Sequence, residues 1–310
     1  MTDELVRAVT KDNAFRAIAV DATQMIKKVS EYHQTSELGI TVLGRALIGG
    51  LLLSNALLKD DDRLALTIDG NGPAGKIVVE TSAEGQVRGY VTNPEVELPL
   101  KEDGSQNVGE AVGVDGYLTV TKDMGEDMEP FTGKVQLVTG EIGDDLTYYM
   151  AKSEQIPSAV AVSVDLDESG QVIAAGGFIV STLPDAKDED LDKLEAKLAD
   201  YPAIGDILEK QHNPMDLLDE LFGADDLEEV DRTRVTPYPE TSKARYAQML
   251  ETLPIDELQA MHDQDGGLQI MDRFTGKTID FAADELANII SEMQAKQNEN
   301  KDNASENEDK

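Results

Sequence analysis

The sequence predicts an α+β fold: an antiparallel-sheet core domain with helices, then a helical linker region and a small C-terminal α+β domain. Three observations lead to this prediction. The apolar spacing changes from near four to two after Asp60-Asp61-Asp62. Glycine-containing turns separate short alternating segments. The composition becomes strongly polar after Pro184. At about 100–200 residues per domain, the 310 residues suffice for two or three domains.

The predicted core domain, residues 1–182, opens with one or two strands and a short helix near 22–32. Residues 36–59 then carry apolar side chains at helical spacing, and Ser36 and Glu37 are typical of a helix start. We expect a long, mostly buried helix here. Its unbroken apolar run is far shorter than the ~20 residues that a membrane span needs.

An antiparallel meander should follow, since three alternating segments are joined by turns that contain glycine; these segments are 64–68, 76–80 and 86–91. A helix is expected between 143 and 155, because Asp144 and Asp145 complement the positive end of its dipole. Further strands are predicted at 117–121, 134–139, 160–165 and 171–180.

The predicted linker, residues 183–234, consists of amphipathic helices near 191–201, 204–209 and 216–222. Each carries a narrow apolar stripe among acidic residues, and helices this short are not stable alone. The C-terminal domain, 235–292, has an apolar cluster of its own. The tail, 293–310, is acidic and has few large apolar residues, so we expect it to be disordered.

Composition excludes several classes of function. The 62 Asp and Glu residues against 27 Lys and Arg leave a net charge of −35, which repels phosphate backbones and anionic lipids, so nucleic acids and membranes are not expected partners. There is no cysteine, and the three histidines lie far apart, which argues against thiolate chemistry and histidine metal sites. The acidic start, Met1-Thr2-Asp3-Glu4, differs from a secretory leader, so we expect a cytoplasmic protein.

One motif imitates a phosphate-binding loop. Residues 70–76, GNGPAGK, match G-x-G-x-x-G and the G-x-x-x-x-G-K pattern. A phosphate loop must open onto a helix, whereas the next residues, 77–79, are IVV and predict a strand. A glycine-rich hairpin turn is therefore the expected structure.

Two long segments resemble the 33 kDa chaperonin family, the bacterial redox-regulated holdases. The first comprises GPAGKIVVE at 72–80 and EGQVRGYVTNP at 84–94. The second comprises GEIGDDLTYY at 140–149 and SEQIPSAV at 153–160. The AGGF at 175–178 and Leu183-Pro184 extend the likeness over most of residues 1–292. The resemblance implies an α+β core, a metastable helical linker and a zinc-binding C-terminal domain, and it suggests dimers.

The sequence departs from that family at its zinc site. Members carry four cysteines as C-x-C and C-x-x-C, and the aligned positions here are Pro239, Thr241, Asp272 and Thr275. None supplies a thiolate, so we expect no zinc cofactor and no disulfide switch. An apolar cluster that includes Ile270, Met271, Phe274, Ile279 and Phe281 is expected to hold this domain together in place of the metal. The alternative is a loosely folded domain in a protein that is permanently in its active state.

The resemblance implies an ATP-independent holdase that binds unfolded or partly folded clients without catalysis. Eight apolar linker residues are the predicted client-binding or linker-packing set: Leu191, Leu194, Leu198, Ile207, Leu208, Leu217, Leu218 and Phe222. The alternative is a stable acidic protein-binding module on the same fold. An enzyme is the third hypothesis, with 144–158 as its only candidate pocket.

Overall fold

We analysed a computed structural model that describes residues 2–125, 128–239 and 241–308. The chain forms two compact units, Met1–Tyr238 and Pro239–Lys310. The strands of the first unit are β1 Glu4–Thr10, β2 Phe15–Asp21, β3 Arg63–Asp69, β4 Ile77–Ser82, β5 Gln86–Val91, β6 Tyr117–Asp123, β7 Phe131–Gln136, β8 Ser158–Leu166, β9 Val172–Thr182, β10 Leu227–Arg234 and β11 Thr236–Pro237. Its helices are α1 Thr23–His33, α2 Glu37–Leu57, α3 Val108–Val112, α4 Gly143–Tyr149, α5 Asp188–Ala199, α6 Ile204–Gln211 and α7 Met215–Phe222.

Two sheets share the first unit. The five-stranded sheet has the order β10-β1-β2-β9-β8 and is antiparallel throughout. The six-stranded sheet has the order β11-β5-β4-β3-β6-β7, and only its short β11 runs parallel to its neighbour. The mixture of helices and antiparallel sheets confirms the predicted fold class.

Helix α2 packs against strands of both sheets and forms the centre of the main core. Ser36 begins it, and the Ser36 side chain accepts the Gly39 N–H at 3.0 Å. Gly50 lets the helix approach β4, because a Cβ there would lie 2.8 Å from Val79 Cγ1. This helix is long and apolar enough to cross a membrane, but 89% of its apolar window is buried inside the protein. It is the buried core helix that the sequence predicts.

Two local predictions need correction. The end of the predicted helical linker is a strand, since β10 (Leu227–Arg234) pairs with β1. Strand β7 covers Phe131–Gln136 and so starts earlier than the predicted 134–139. In both cases the long-range pairing of the segment sets its limits, and the local spacing of apolar residues does not reveal it. The helix predicted between 143 and 155 is confirmed, since α4 ends at Tyr149 and continues as a π-helical turn at Met150–Glu154.

The second unit contains α8 Lys243–Leu250, α9 Ile255–Asp265, β12 Gly267–Met271, β13 Thr278–Ala282 and α10 Ala283–Glu308. Strands β12 and β13 form an antiparallel hairpin. Helix α10 extends into 293–310, which the sequence predicts to be disordered; Met293 is buried, and the segment has no glycine or proline to end the helix. Residues 309–310 lie outside the described residues.

Candidate functional site

The central strands of the five-stranded sheet are buried on both faces, because each strand contributes apolar residues to two clusters. On β2, Ile18 and Val20 face the main core, whereas Phe15, Ala17 and Ala19 belong to a second cluster. Strand β9 continues the second set with Ala174, Phe178 and Val180, and β1 adds Val6 and Ala8. We call this alanine-rich surface the outer face. It is covered by α5, α6 and α7.

The three linker helices begin and end where the sequence provides caps. Asp188, Glu189 and Asp190 lie in the first turn of α5, where negative charge is favourable, and Asp190 Oδ2 accepts the Lys187 N–H at 3.2 Å. Helix α6 ends at His212, which adopts the left-handed conformation. Helix α7 ends at Gly223, whose φ is 93°.

All eight predicted linker residues lie in one cluster on the outer face. Five are buried, namely Leu194, Ile207, Leu208, Leu217 and Leu218. Leu191, Leu198 and Phe222 are partly buried and pack against the same cluster. In this structure the eight side chains therefore pack the linker onto the sheet, and their contact with a client stays a prediction.

Small residues bring α6 close to the sheet. A Cβ at Gly176 would lie 2.5 Å from Leu208 Cδ1, and it would also collide with the carbonyl oxygen of Val20. A Cβ at Gly205 would overlap the carboxylate of Asp165 on β8. Leu208, which is fully buried, fills the space that the missing side chain of Gly176 leaves.

Four aromatic residues form two pairs in the cluster. Phe15 lies 5.7 Å from Phe222, and Phe178 lies 5.1 Å from Tyr201 in an edge-to-face arrangement, both measured between ring centroids. The Tyr201 hydroxyl donates to the carbonyl oxygen of Leu217 at 2.7 Å, and burial raises the pKa of Tyr201. Phe15 and Phe178 are not among the predicted site residues, although the near-continuous apolar runs FRAIAV and VIAAGGFIV indicate strands that are buried on both faces.

A polar contact joins the linker to the sheet at the end of α6. His212 Nδ1 lies 3.1 Å from Asp21 Oδ2, and Asp21 is buried at the end of β2. The other oxygen of Asp21 accepts the N–H and the hydroxyl of Thr23, at 2.9 and 2.6 Å. Asp21 is thereby held in place, so this contact fixes the position at which the linker helix ends.

Helix α7 contains a polar group that docking leaves unsatisfied. Asp219 Oδ1 is buried and has no hydrogen-bond partner among the described residues. Burial raises the pKa of Asp219, and the negative charge of Asp216 raises it further. Burying a carboxylate oxygen without a partner costs free energy, so the docked helix is less stable than its leucines alone would make it.

A half-open cavity of about 440 Å³ lies beside α5. Phe15, Leu194 and Phe222 form its apolar lining, and Lys11, Lys193 and Lys197 stand among its polar residues. The packing between α5 and the outer face is therefore incomplete, which weakens the attachment of this helix relative to a close-packed core.

In the second unit, the positions aligned with the family's zinc ligands carry a different structure. Asp272 is buried; its Oδ1 accepts the Phe274 N–H and its Oδ2 accepts the Thr275 hydroxyl, both at 2.9 Å. Pro239 is exposed and has no donor side chain, and Thr241 is half-buried. This donor set does not suit zinc, because no thiolate is present and both oxygens of the one carboxylate already hold the β12–β13 turn.

An apolar cluster stabilises the second unit. Its buried members are Leu250, Leu258, Phe281, Leu286, Ile289, Ile290 and Met293, and Ile270 and Ile279 pack against them. Met271, expected in this core, is instead 69% exposed, since alternation along β12 turns it to the opposite face from Ile270. Among the described residues, no three acidic or histidine side chains form a group that could hold a metal ion.

Segment 144–158, the candidate pocket for an enzyme, uses its polar groups to hold the fold. Asp145 is buried and accepts the N–H groups of Val138, Thr139 and Ile142 at 2.6, 3.2 and 3.1 Å. The Ser158 hydroxyl lies 2.9 Å from that of Ser181. These contacts explain the polar residues of the segment as parts of a helix start and a strand pair.

The glycine-rich loop at 70–76 joins two antiparallel strands, β3 and β4, as the sequence predicts. Two of its N–H groups are already bonded: Gly72 donates to Val112 O at 3.0 Å and Ala74 donates to Ala111 O at 2.9 Å. A phosphate loop would need these groups free to bind the anion. The loop therefore anchors α3 to the sheet.

Comparison with known proteins gives concordant results. The profile of the family described as Hsp33 protein matches residues 3–282. The 33 kDa chaperonin of Lactiplantibacillus plantarum is 43% identical over 291 residues, covering 94% of this chain and 98% of the relative. That of Latilactobacillus sakei is 42% identical over 293 residues, covering 94% of this chain and 100% of the relative. The crystal structure of the 33 kDa chaperonin from Thermotoga maritima superposes with a TM-score of 0.83 at 32% identity, covering 94% of this chain and 98% of that one.

Proposed function

This chain belongs to the Hsp33 protein family, and from that premise we propose that it is an ATP-independent holdase that binds unfolding proteins and prevents their aggregation. Its relatives are named 33 kDa chaperonin, which supports a chaperone role in protein folding and the stress response. We propose that it acts in the cytoplasm and without catalytic turnover. A homodimer stays a prediction of the family resemblance.

The observation that carries the proposal is the outer face and its cover. Eight apolar linker side chains, five of them buried and three partly buried, pack in one cluster with an alanine-rich sheet surface. If the linker helices detach, two apolar surfaces become accessible together, and exposed apolar surface of this kind binds unfolded chains. The net charge of −35 would keep such a complex soluble.

The docked state has the properties of a cover that opens readily. Its helices are 8 to 12 residues long, and helices of such length depend on tertiary contacts for their stability. One carboxylate oxygen of Asp219 is buried without a hydrogen-bond partner among the described residues, and a half-open cavity lies beside α5. Release of the linker would expose the Asp219 oxygen to water, and it would break few packing contacts beside the cavity. We therefore propose that mild heat suffices to release the linker.

We further propose that zinc and thiol oxidation play no part in regulation. The chain has no cysteine, and Asp272 and Thr275 form a hydrogen-bonded turn at one pair of aligned zinc-ligand positions. The second unit would then be held by its apolar cluster and this turn. The linker could be released without any redox step.

The proposal is tested by light scattering from a thermally aggregating reporter, with no ATP and with the chain either reduced or peroxide-treated. We expect equal suppression under both conditions, because no thiol is available to respond. The ten methionines remain oxidisable, so mass spectrometry of the treated sample is the control. Suppression that appears only after peroxide, with the methionines intact, would contradict the proposal. No suppression even after mild heating would favour the acidic binding module.

A further inference from the structure

The two sheets of the first unit have four edge strands, and they differ in how they are protected. An edge strand presents unpaired N–H and C=O groups, and natural proteins block such edges with charges, bulges, proline, very short strands or a covering element. The edges here are β10 and β8 in the five-stranded sheet, and β11 and β7 in the six-stranded sheet.

Three of these edges are protected. Strand β10 carries five charged residues among its eight, and its register with β1 shifts between Arg7 and Ala8. Helix α4 packs against β8, where the Thr147 hydroxyl oxygen accepts the Val160 N–H at 3.0 Å. Strand β11 has two residues, and one of them is Pro237.

Strand β7, FTGKVQ, is contacted by α4 and the π-helical turn, but among the described residues neither of them forms a hydrogen bond to its main chain. It pairs with β6 in an unshifted register, contains no proline and has Lys134 as its single charge. Its Phe131 side chain is 50% exposed. Among the described residues of the two large sheets, β7 is therefore the edge strand whose outward main-chain groups have the least protection.

The register shows which main-chain groups of β7 point outward. Leu137 N–H donates to Gly116 O at 3.1 Å, so alternation along the antiparallel pair directs the main-chain groups of residues 131, 133 and 135 toward β6. Those of Thr132, Lys134 and Gln136 therefore point to the open edge. Within the described part of the chain, they have no main-chain partner there.

Aromatic residues and lysines flank this edge on both faces of the sheet. Lys134 Nζ lies 3.9 Å from the ring centroid of Tyr117, and Lys122 Nζ lies 4.7 Å from that of Phe131. The π-helical turn contacts β7 on the same side of the sheet as Phe131, and the Lys152 ammonium group of this turn lies over the ring of Tyr148. Lys122 is paired with Glu154, whereas no described carboxylate lies within ion-pair distance of Lys134 or Lys152. In a chain of net charge −35, this is a local cationic and aromatic surface.

We propose that the β7 edge is a strand-addition site for an extended, non-native polypeptide segment that carries apolar and acidic side chains. The added strand would bond to the main chain of Thr132, Lys134 and Gln136, and its side chains would alternate between the two aromatic and lysine surfaces. A second copy fits poorly, because each copy carries a charge of −35 and β7 has no acidic residue to meet Lys134. This inference rests on the proposed holdase function and assigns it a client site apart from the linker.

The test compares Thr132→Pro with Thr132→Val in the full chain. Both substitutions remove the hydroxyl that lies 3.0 Å from Thr121 Oγ1, but only proline removes the outward N–H. The probe is a fluorescein-labelled peptide of about ten residues, a natural strand length, that alternates valine and glutamate around one phenylalanine. We expect Thr132→Pro to raise its Kd about tenfold, and Thr132→Val to keep it within about twofold.

Hydrogen exchange with the same peptide locates the contact. Protection of the Thr132, Lys134 and Gln136 amides supports the site, and protection confined to other strands overturns it. Equal affinity of the two variants for the peptide also overturns the proposed β7 site. So does a wild-type dimer, seen by sedimentation, that Thr132→Pro converts to a monomer, because a second copy would then occupy this edge. If Thr132→Pro does not fold, Gln136→Pro against Gln136→Val repeats the comparison at the end of the strand.

The reporter assay separates this inference from the proposed function. If the wild-type chain suppresses aggregation while both Thr132 variants bind the peptide equally, the β7 site is wrong and the holdase function stands. If the peptide binds at β7 and the wild-type chain does not suppress aggregation, the site stands and the general holdase function is wrong.

Discussion

At the scale of single residues, Asp3 gives the first unit a pH-dependent stability. Its carboxylate is buried at the start of the chain, and it accepts the N–H groups of Gln24 and Met25 at 3.0 and 2.5 Å. Burial nevertheless raises its pKa to about 6, and the negative charge of Asp21 adds to this, while Lys28 opposes it. At a pH between the ordinary aspartate pKa of 3.8 and about 6, the folded protein therefore keeps a proton on Asp3 that the unfolded chain has released.

We predict that Asp3→Asn removes this dependence. A folded pKa above the unfolded value stabilises the protein at low pH, and this stabilisation is lost as the pH rises through about 6. Relative to Asp3→Asn, the wild-type chain should lose about 1 kcal/mol of unfolding free energy between pH 5 and pH 8. Urea unfolding of both proteins at the two pH values measures this difference.

The exposed Asp12 provides the control for this measurement. The Thr10 hydroxyl and the Ala14 N–H hold the pKa of Asp12 below its usual value, so it stays ionised across the interval. Asp12→Asn should change stability equally at both pH values. A constant difference between wild type and Asp3→Asn would contradict the prediction.

At the scale of elements, the attachment of α6 depends on Leu208 filling the space above Gly176. Replacing a fully buried leucine with alanine typically costs 2–5 kcal/mol. We predict that Leu208→Ala destabilises the docked linker by about 3 kcal/mol, so that suppression of reporter aggregation begins at a lower temperature than in wild type. Glu209→Ala, an exposed position on the same helix, is the matched control. An equal onset temperature in wild type and Leu208→Ala would show that docking of α6 does not limit activity.

Most elements of the first unit could be predicted because their apolar spacing is local. Helix α2 and strands β3 to β5 lie within two residues of their predicted limits. Strand β10 was missed because its eight residues include only two apolar ones, Leu227 and Val230, and it becomes a strand by pairing with β1. Nothing in its own sequence indicates that partner.

The site was predicted in part for the same reason. The eight linker residues follow from narrow helical stripes, which are visible in the sequence. Their counterparts on the sheet are not local: Asp21 and His212 are separated by 191 positions, and Phe15 meets Phe222 across a similar separation. The turn at Asp272 was likewise not predictable, because in the sequence this position differs from the family pattern only by the loss of a ligand.

At the scale of the whole molecule, the chain divides into two units whose stabilities should not depend on metal. The second unit has an apolar cluster and the Asp272 turn where its family has zinc ligands. We predict that excess EDTA leaves the thermal unfolding midpoints of the full chain unchanged, and that added zinc does not raise them. Circular dichroism and calorimetry measure both. A midpoint that falls on chelation would show that the chain binds a stabilising metal.

The alanine-rich composition of the outer face also bears on selectivity. Methyl groups of Ala8, Ala17, Ala19 and Ala174 supply much of the outer face. Short side chains make few shape-specific contacts, so under the proposed holdase function this surface would discriminate little between client side chains of different shape. Helix α2 packs against β2 and β9 from the main core, and we expect this support to persist when the linker leaves. One sheet surface could then accept many unrelated sequences.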